Sequence, residues 1–291
     1  MKKILYIAFL AMLSACINNN DKADAYGNFE ATEIVISAMG QGEILQLDIE
    51  EGDVVQQAAR VGLIDTTDLH LKKQQLYRSI EAVKTGLNTI DAQLKVHLQQ
   101  KKNLGVDKQR IENLYREGAA TKKQLDDING AIDLVEAQLA ATQSQKQKIM
   151  AEVETLDAQL SQVNEAISKC EIVTTVSGTV LTKYAEKGEV VAAGKPLFKL
   201  ADMTVMKLKV YVSGMQLPHI KIGQRVEVQI DDTKTKNRSL EGVVSWISST
   251  AEFTPKTIQT KEERVNLVYA VKVRVMNDGS LKIGMPGEIY F

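Results

Sequence analysis

Two long runs of heptad-spaced apolar residues occupy the middle of this 291-residue chain. No proline interrupts the segment from Asp68 to Glu117, and the pattern restarts after the sequence "REGAAT". The rows of the first run are Leu69, Leu76, Val83, Ile90, His97, Leu104, Ile111 and Ile80, Leu87, Leu94; those of the second are Leu125, Ile132, Leu139, Lys146, Val153, Leu160, Ile167 and Ile128, Val135, Thr142, Ile149, Leu156, Val163. A heptad pattern sustained over about six repeats is typical of a coiled coil. We therefore expect two helices that form an antiparallel hairpin roughly 70 Å long.

The break between the two runs carries the signals of a tight helical turn. Gly118 can adopt the positive φ that ends a helix. Thr121 and Gln124 have the spacing of a capping box, which starts the next helix. The sequence thus predicts the tip of the hairpin at these residues.

Both rows become polar at the same height of the predicted hairpin. Folding at Gly118 places His97 opposite Ala141 and Thr142, with Lys101 and Lys146 nearby. A buried polar layer of this kind fixes the register of a coiled coil at a cost in stability. The alternative interpretation is a weak point at which the arm bends.

The heptad runs separate two copies of one short sequence. "GEILQLDIEEGDVV" at Gly42–Val55 and "GTVLTKYAEKGEVV" at Gly178–Val191 are offset by 136 residues. Each copy and its flanks form a set of about four short strands, which cannot bury an apolar face alone. We expect the two halves to pack as one domain, one sheet against the other, with the hairpin inserted between them.

The N-terminus has the pattern of an export signal. "MKKILYIAFLAMLSAC" joins two lysines to an apolar run, Ile4–Leu13, of about ten residues, which is too short for a spanning helix. The ending Leu-Ser-Ala-Cys resembles the bacterial lipobox, which implies cleavage before Cys16 and a diacylglycerol on its sulfur. The alternative is an ordinary cleaved signal in which Cys16 has no role. The polar residues that follow predict a flexible tether.

Composition argues against several classes of function. Lys and Arg number 36 and Asp and Glu 37, a balance that does not favour nucleic acid binding. The three histidines lie far apart with no acidic or cysteine residue at ligand spacing, so we predict no metal site. Nucleophile-elbow, phosphate-loop and dinucleotide motifs are missing from the sequence. We therefore predict neither an enzyme nor a bound cofactor.

The chain contains 2 cysteines, and acylation of Cys16 would leave Cys170 as the only free thiol. No intrachain disulfide could then form, even in an oxidising compartment. We interpret Cys170 as a small residue at the junction of helix and strand; a reactive thiol is the alternative.

After Ala201 the apolar residues alternate with period two, which predicts an antiparallel β-barrel. Trp246 is expected in its core, the alternative being a platform for a ligand. The fold class is thus an elongated α+β protein with a split β domain, an inserted coiled-coil hairpin and a barrel. The predicted boundaries are signal peptide 1–15, tether 16–30, first half of the β domain 31–65, hairpin 66–168, second half 169–201 and barrel 202–291.

The two halves resemble the biotinyl/lipoyl carrier domain, whose halves share the pattern G-x-[IV]…[EK]-G-[DE]-x-V. That family carries its cofactor on a lysine between the halves. Here the corresponding segment after Ile64 reads "DTTDLHLKK" and runs into the first helix. A carrier function is therefore disfavoured.

A coiled-coil hairpin inserted at this point resembles the periplasmic adaptor, or membrane fusion protein, family of the haemolysin-D type. The family links an inner-membrane transporter to an outer-membrane channel of the TolC type. The resemblance implies a lipid-anchored adaptor on the periplasmic side of the inner membrane of a Gram-negative bacterium, assembled as a homo-oligomer, by analogy a hexamer. The segment "FTPKTIQTKEERVNLVYAVKVRV" resembles adaptors of ABC-type exporters. An adaptor of an RND-type pump and a coiled-coil scaffold of the cell envelope without a transport role remain alternatives.

The resemblance also assigns roles at the hairpin tip. The family docks on the channel through an Arg, a Leu four residues later and a Ser seven residues after that; the matching positions here are Arg110, Leu114 and Thr121. The alternative roles are a solvated charge, a coiled-coil residue and an N-cap. The polar segment Thr254–Glu263 is either a loop that faces the transporter or a long hairpin loop. Motion is expected at the joints near Thr66 and Lys169.

Two features depart from the family pattern. Thr174-Thr175 stands where the second half usually has Ala-Pro. The sequence stops at Phe291, directly after the barrel, so the membrane-proximal domain of many relatives is expected to be absent or reduced to residues 17–30.

Overall fold

The computed structural model describes residues 23–233, 236–253 and 267–291. The signal peptide, Cys16 and the segment Thr254–Glu263 lie outside the described residues. Among the described residues, no helix combines the length and apolar character that crossing a membrane requires. The elements are β1 (Ala25–Ser37), β2 (Gly42–Leu47), β3 (Val54–Val55), β4 (Arg60–Ile64), α1 (Thr67–Arg116), α2 (Lys122–Lys169), β5 (Glu171–Val173), β6 (Gly178–Lys183), β7 (Val190–Val191), β8 (Pro196–Ser213), β9 (Arg225–Thr233), β10 (Lys236–Ile247), β11 (Glu252–Phe253), β12 (Leu267–Met276) and β13 (Pro286–Tyr290), with a 3-10 helix at Leu217–His219.

Helices α1 and α2 form the predicted antiparallel hairpin. They contain 50 and 48 residues, which corresponds to arms of roughly 70 to 75 Å. Every apolar heptad position is buried or half-buried, and Leu76, Ile80, Val135 and Val163 are the most enclosed. The heptad spacing of the sequence therefore predicted correctly which face of each helix is buried.

The β domain beside the hairpin consists of two sheets that share strands of both halves. One sheet has the order β5-β4-β2-β7, and the other continues from β1 through β8 and β6 to β3. Each sheet thus takes two strands from each half, instead of one half forming each sheet. The buried residues between the sheets, among them Ile44, Ile64, Phe198 and Leu200, form the core of this domain.

The sequence repeat corresponds to an internal two-fold relation in the structure. Gly42 pairs with Val191 in β2–β7, and Gly178 pairs with Val55 in β6–β3. Each pair joins the start of one copy to the end of the other. The two copies therefore occupy equivalent positions. The last strand of each copy is the edge strand that pairs with the first strand of the other copy.

A second core lies inside a closed barrel of six strands. The order is β12-β10-β9-β13-β1-β8, and the pairing of β8 with β12 closes the ring. Inward residues such as Leu208, Val228, Val273 and Ile289 are fully buried. Closure leaves no strand edge between β12 and β8 unpaired.

The sequence predicted a tether that extends to residue 30, but the structure has a strand in part of that segment. Strand β1 begins at Ala25, and Ala25–Asn28 pairs with β13 while Tyr26–Glu30 pairs with β8. Without this segment the ring would be open, because β13 and β8 do not pair with each other. Phe29 fills the barrel core, whereas a Cβ at Gly27 would lie 1.8 Å from the backbone oxygen of Lys209, so only glycine fits there.

Two strands run through both β domains. The first part of β8 pairs with the β-domain part of β1, and its second part pairs with the barrel part, across a bulge between Glu30 and Thr32. The predicted boundary at residue 202 lies within β8. A continuous two-stranded ribbon therefore joins the domains.

The sequence predicted Trp246 in the barrel core, but the residue lies outside the core. Its side chain is 43% exposed on the outer wall, where Lys272 Nζ lies 5.8 Å from the ring centroid. A bulge in β10 between Val244 and Trp246 shifts the alternation of the strand. Period-two counting fails at a bulge because one extra residue reverses the direction of every later side chain.

Candidate docking site at the hairpin tip

The end of α1 is closed by backbone hydrogen bonds around a glycine. Gly118 has a φ of +74°, as the sequence predicted. Its N–H donates to Tyr115 O at 3.1 Å, and Ala119 N–H donates to Leu114 O at 2.8 Å. These bonds satisfy carbonyls that the helix end would otherwise leave without partners.

The start of α2 is the predicted capping box. Thr121 is the N-cap; its Oγ1 accepts from Gln124 N–H at 3.3 Å, while its own N–H donates to Gln124 Oε1 at 2.8 Å. The two bonds fix the hydroxyl against the first turn of the helix. Thr121 therefore caps the helix, and its side chain remains exposed to solvent.

Arg110 and Leu114 lie one turn apart on the last part of α1. Arg110 is 69% exposed and its guanidinium is 3.2 Å from Asp107 Oδ1. Leu114 is 39% exposed and lies outside both apolar heptad rows of the first helix. Both side chains lie within roughly 12 Å of Gly118 along the helix.

The tip as a whole offers a fork of donors, an apolar side chain and a hydroxyl beside small residues. Ala119 and Ala120 have no bulk that would prevent another helical end from approaching. An exposed surface pair such as Arg110–Asp107 contributes little to stability, so the guanidinium can exchange its partner at small cost. Arg recognises carbonyl and carboxylate groups through several donors at once. This arrangement can bind a protein surface, but it has no group positioned for acid, base or nucleophilic chemistry.

Midway along the arm, two ion pairs between the helices enclose the predicted polar layer. Thr142 is 7% exposed, and its hydroxyl donates to Gln138 O at 2.8 Å. His97 Nδ1 is buried and has no hydrogen-bond partner within the described part of the chain. The layer is therefore only partly satisfied.

Hydrogen bonds connect the residues at which the two arms of the hairpin join the β domain. Asp65 Oδ1 accepts from Thr67 N–H at 2.9 Å and from Thr67 Oγ1 at 2.6 Å; the hydroxyl, then the backbone N–H, lowers the pKa of Asp65. Ile64 N–H donates to Cys170 O at 2.9 Å, so the strands that lead into and out of the arms are neighbours. The mobility expected near Thr66 and Lys169 stays a prediction.

Cys170 is a buried junction residue. Its side chain is 1% exposed, and a Cβ at Gly40 would lie 2.7 Å from its sulfur. Burial, followed by the nearby charge of Asp65, raises the pKa of the thiol. A buried thiol with a raised pKa is a poor nucleophile.

Thr174, where the family pattern departs, connects the two halves. Its side chain is 1% exposed, and its hydroxyl accepts from Ala59 N–H at 3.0 Å. The side chain thus bonds to the residue directly before β4, the last strand of the first half. A threonine can take this place because its hydroxyl finds backbone partners.

The described residues contain no group of three or more His, Cys, Asp and Glu side chains that could hold a metal ion.

Comparison with known sequences identifies relatives along the whole chain. No family model matches. The chain is 23% identical to the UPF0194 membrane protein of Yersinia pseudotuberculosis serotype O:3 (strain YPIII), over all of this chain and 98% of the relative. It is 26% identical to the UPF0194 membrane protein in the asrC 5'region of Acidithiobacillus ferridurans, over 91% of this chain and 85% of the relative.

Comparison with solved structures identifies the fold. MacA from Actinobacillus actinomycetemcomitans superposes with a TM-score of 0.53 at 20% identity, over 91% of this chain and 76% of that one. The membrane fusion protein Spr0693 from Streptococcus pneumoniae R6 superposes with a TM-score of 0.57 at 14% identity, over 91% and 96%. The chain has the fold of the membrane fusion proteins. The resemblance to the periplasmic adaptors of the haemolysin-D type is thereby confirmed at the level of the fold.

Proposed function

We propose that this protein is the periplasmic adaptor of a tripartite efflux or secretion system. Its hairpin would dock on a TolC-like outer-membrane channel, and its barrel end would contact an inner-membrane transporter. The transporter is proposed to be of the ABC type, because the segment 253–275 resembles adaptors of that class. Assembly as a hexameric ring would form the conduit.

The observation that carries this proposal is the combination of a long helical arm with an exposed tip. An arm of roughly 70 Å is suited to crossing a gap between two membranes. The tip leaves Arg110, Leu114 and Thr121 accessible, although the rest of the hairpin buries its apolar rows. Energy for transport would come from the transporter.

The N-terminus enters the barrel at a place that suits a membrane anchor. Asp24 N–H donates to Ile289 O at 2.9 Å, so the tether leaves the barrel beside the last strand. If Cys16 is acylated, about seven residues separate the lipid from Ala23, a reach of at most about 25 Å. The barrel would therefore stand close to the periplasmic face of the inner membrane, with the hairpin farther away.

Copurification of the channel tests the docking role. We expect Arg110→Ala and Leu114→Ala to reduce recovery of the outer-membrane channel at least tenfold, while the transporter is still recovered. Arg78→Ala is the matched control, because Arg78 is also exposed on α1 and pairs with Glu81 at 3.0 Å. Equal recovery of the channel by all three variants would remove the tip from the docking surface.

Membrane fractionation tests the anchor separately. Cys16→Ser should move the protein from the membrane to the soluble periplasmic fraction. A variant that is soluble and still supports efflux would remove the need for the anchor but leave the adaptor role intact. Unchanged efflux of every compound in a deletion strain, with altered envelope shape, would favour the envelope scaffold.

A further inference from the structure

The outer wall of the barrel carries opposite charges on opposite sides. In the ring of six strands, the contact between β8 and β12 lies across from the contact between β9 and β13. We call the first the basic seam and the second the acidic seam. The basic seam consists of Lys207, Lys209, Lys272 and Arg274; the acidic seam consists of Glu227, Asp231 and Glu288.

The cations of the basic seam are direct neighbours. Lys207 pairs with Arg274, and Lys209 pairs with Lys272 across β8 and β12. Two carboxylates offset them in part: Glu30 lies 3.3 Å from Lys272 and Glu252 lies 3.6 Å from Lys209.

Four cations thus face two acids, which leaves an excess of positive charge. Arg274 has no ion pair among residues 23–233, 236–253 and 267–291.

The cations line an open groove on this side. Its volume is about 590 Å³, and Trp246 forms part of the lining with Lys207, Lys272 and Arg274. An exposed indole beside cations is a feature of interfaces, since a large rigid ring can bury apolar area next to polar contacts. The groove therefore offers cations and an apolar ring to an acidic surface.

The acidic seam has the reverse balance. Glu288 is opposite Gln229 on β9, and no ion pair of Glu288 is seen in the described part of the chain. The carboxylate of Glu227 accepts hydrogen bonds from Ser239 and Gln229, which lower its pKa and keep it charged. The neighbouring Glu241 is already neutralised by Arg225 at 3.0 Å.

We propose that the basic seam of one copy binds the acidic seam of the next copy, head to tail. The inference rests on the proposed function, because it assigns the faces through which the adaptor ring is built. Pairing two copies through the same seam would bring like charges together, which disfavours a two-fold dimer of barrels. A contact between two different faces repeats around an axis and can close into a ring.

Charge reversal with rescue tests the pairing of the seams in the full-length membrane-anchored protein. Arg274→Glu and Glu288→Arg each change a side chain without a described ion pair, so each protomer should keep its melting temperature. We expect each single variant to lose crosslinked oligomers at least tenfold and the double variant to recover them. Lys282→Glu, an exposed reversal outside both seams, is the control and should assemble like the unchanged protein.

The outcomes separate the seam pairing from the adaptor function. Single variants that assemble normally would overturn the pairing, even if the channel is still recovered with the protein. A double variant that stays unassembled would overturn it as well. If Arg274→Glu instead loses binding to vesicles of anionic phospholipid and keeps its oligomers, the groove belongs to lipid headgroups. Failure of the unchanged protein to recover any channel would count against the proposed function, whatever the seams do.

Discussion

Lys101 Nζ lies 2.8 Å from Glu136 Oε1 and so joins the two arms of the hairpin. A second pair, Lys146 with Asp91 at 2.7 Å, joins them on the other side of His97. Together the pairs place His97 level with residues close to Ala140. The sequence predicted Ala141 and Thr142 at this height, so the turn at Gly118 was sufficient to define the register to within about a residue or two.

The first pair makes a prediction about pH. The hydrogen bond from Lys101, and then its charge, lowers the pKa of Glu136 from its ordinary value of 4.5. A carboxyl group with a lowered pKa stabilises the fold above its ordinary value, and this contribution is lost as the pH falls through the lower, folded value. In Lys101→Met, NMR titration should show the pKa of Glu136 return toward 4.5. An unchanged titration would mean that the pair does not form in solution.

Replacement of the histidine in the polar layer should stabilise the hairpin. A buried polar group without a partner costs about 1 to 3 kcal/mol, and His97→Leu removes it while filling the same row. We expect a higher melting temperature by circular dichroism. His70→Leu, on an exposed face of α1, is the control and should change little. A lower melting temperature for His97→Leu would show that the imidazole finds a partner.

Loss of the N-cap should weaken the tip of the hairpin. Thr121→Ala removes one of the two capping bonds and should cost about 1 kcal/mol, whereas Thr121→Ser keeps an acceptor at the same place. Hydrogen exchange of the amides in the first turn of α2 reports this change locally. Equal protection in both variants would show that the hydroxyl does not cap the helix.

Gly27 should be essential to the barrel. The methyl group in Gly27→Ala would meet the backbone of β8, and forcing extra volume into a packed site costs about 1 to 3 kcal/mol. Denaturant unfolding should show this loss. Gly105→Ala provides a contrast, because its Cβ would meet nothing within 4 Å and alanine favours a helix by up to about 1 kcal/mol. Equal effects of the two substitutions would contradict the placement of β1 in the barrel.

The elements that the sequence predicted best are those governed by local rules. Heptad spacing identified both arms, and the Gly118 turn with the Thr121 capping box identified the tip. Each of these signals acts between residues fewer than ten positions apart, so a single sequence contains the whole of it. The repeat of Gly42–Val55 at Gly178–Val191 was visible for another reason, because two similar sequences can be recognised at any separation.

The elements that the sequence did not predict depend on distant partners. Nothing within "AYGNFE" indicates a strand, because its role is to fill the space between β8 and β13 far along the chain. The exchange of strands between the halves is equally invisible locally. Trp246 was misplaced because the bulge beside it is set by the pairing of β10 with β12.

The candidate docking residues could be named from the sequence only through the family resemblance. Without it, Arg110 is one of many exposed charges on a helix, and Thr121 is fully explained as a cap. The structure adds that Leu114, which lies outside both apolar rows, is partly exposed.

Site-specific photocrosslinking from Ala119 in living cells tests the central claim most directly. Ala119 is exposed at the tip, and its side chain takes no part in the capping box, so a photoreactive residue there leaves the hairpin intact. We predict a crosslinked product that contains an outer-membrane channel protein and that disappears in Arg110→Ala. Crosslinks only to other copies of this chain, or a product that persists unchanged in Arg110→Ala, would contradict docking through the tip.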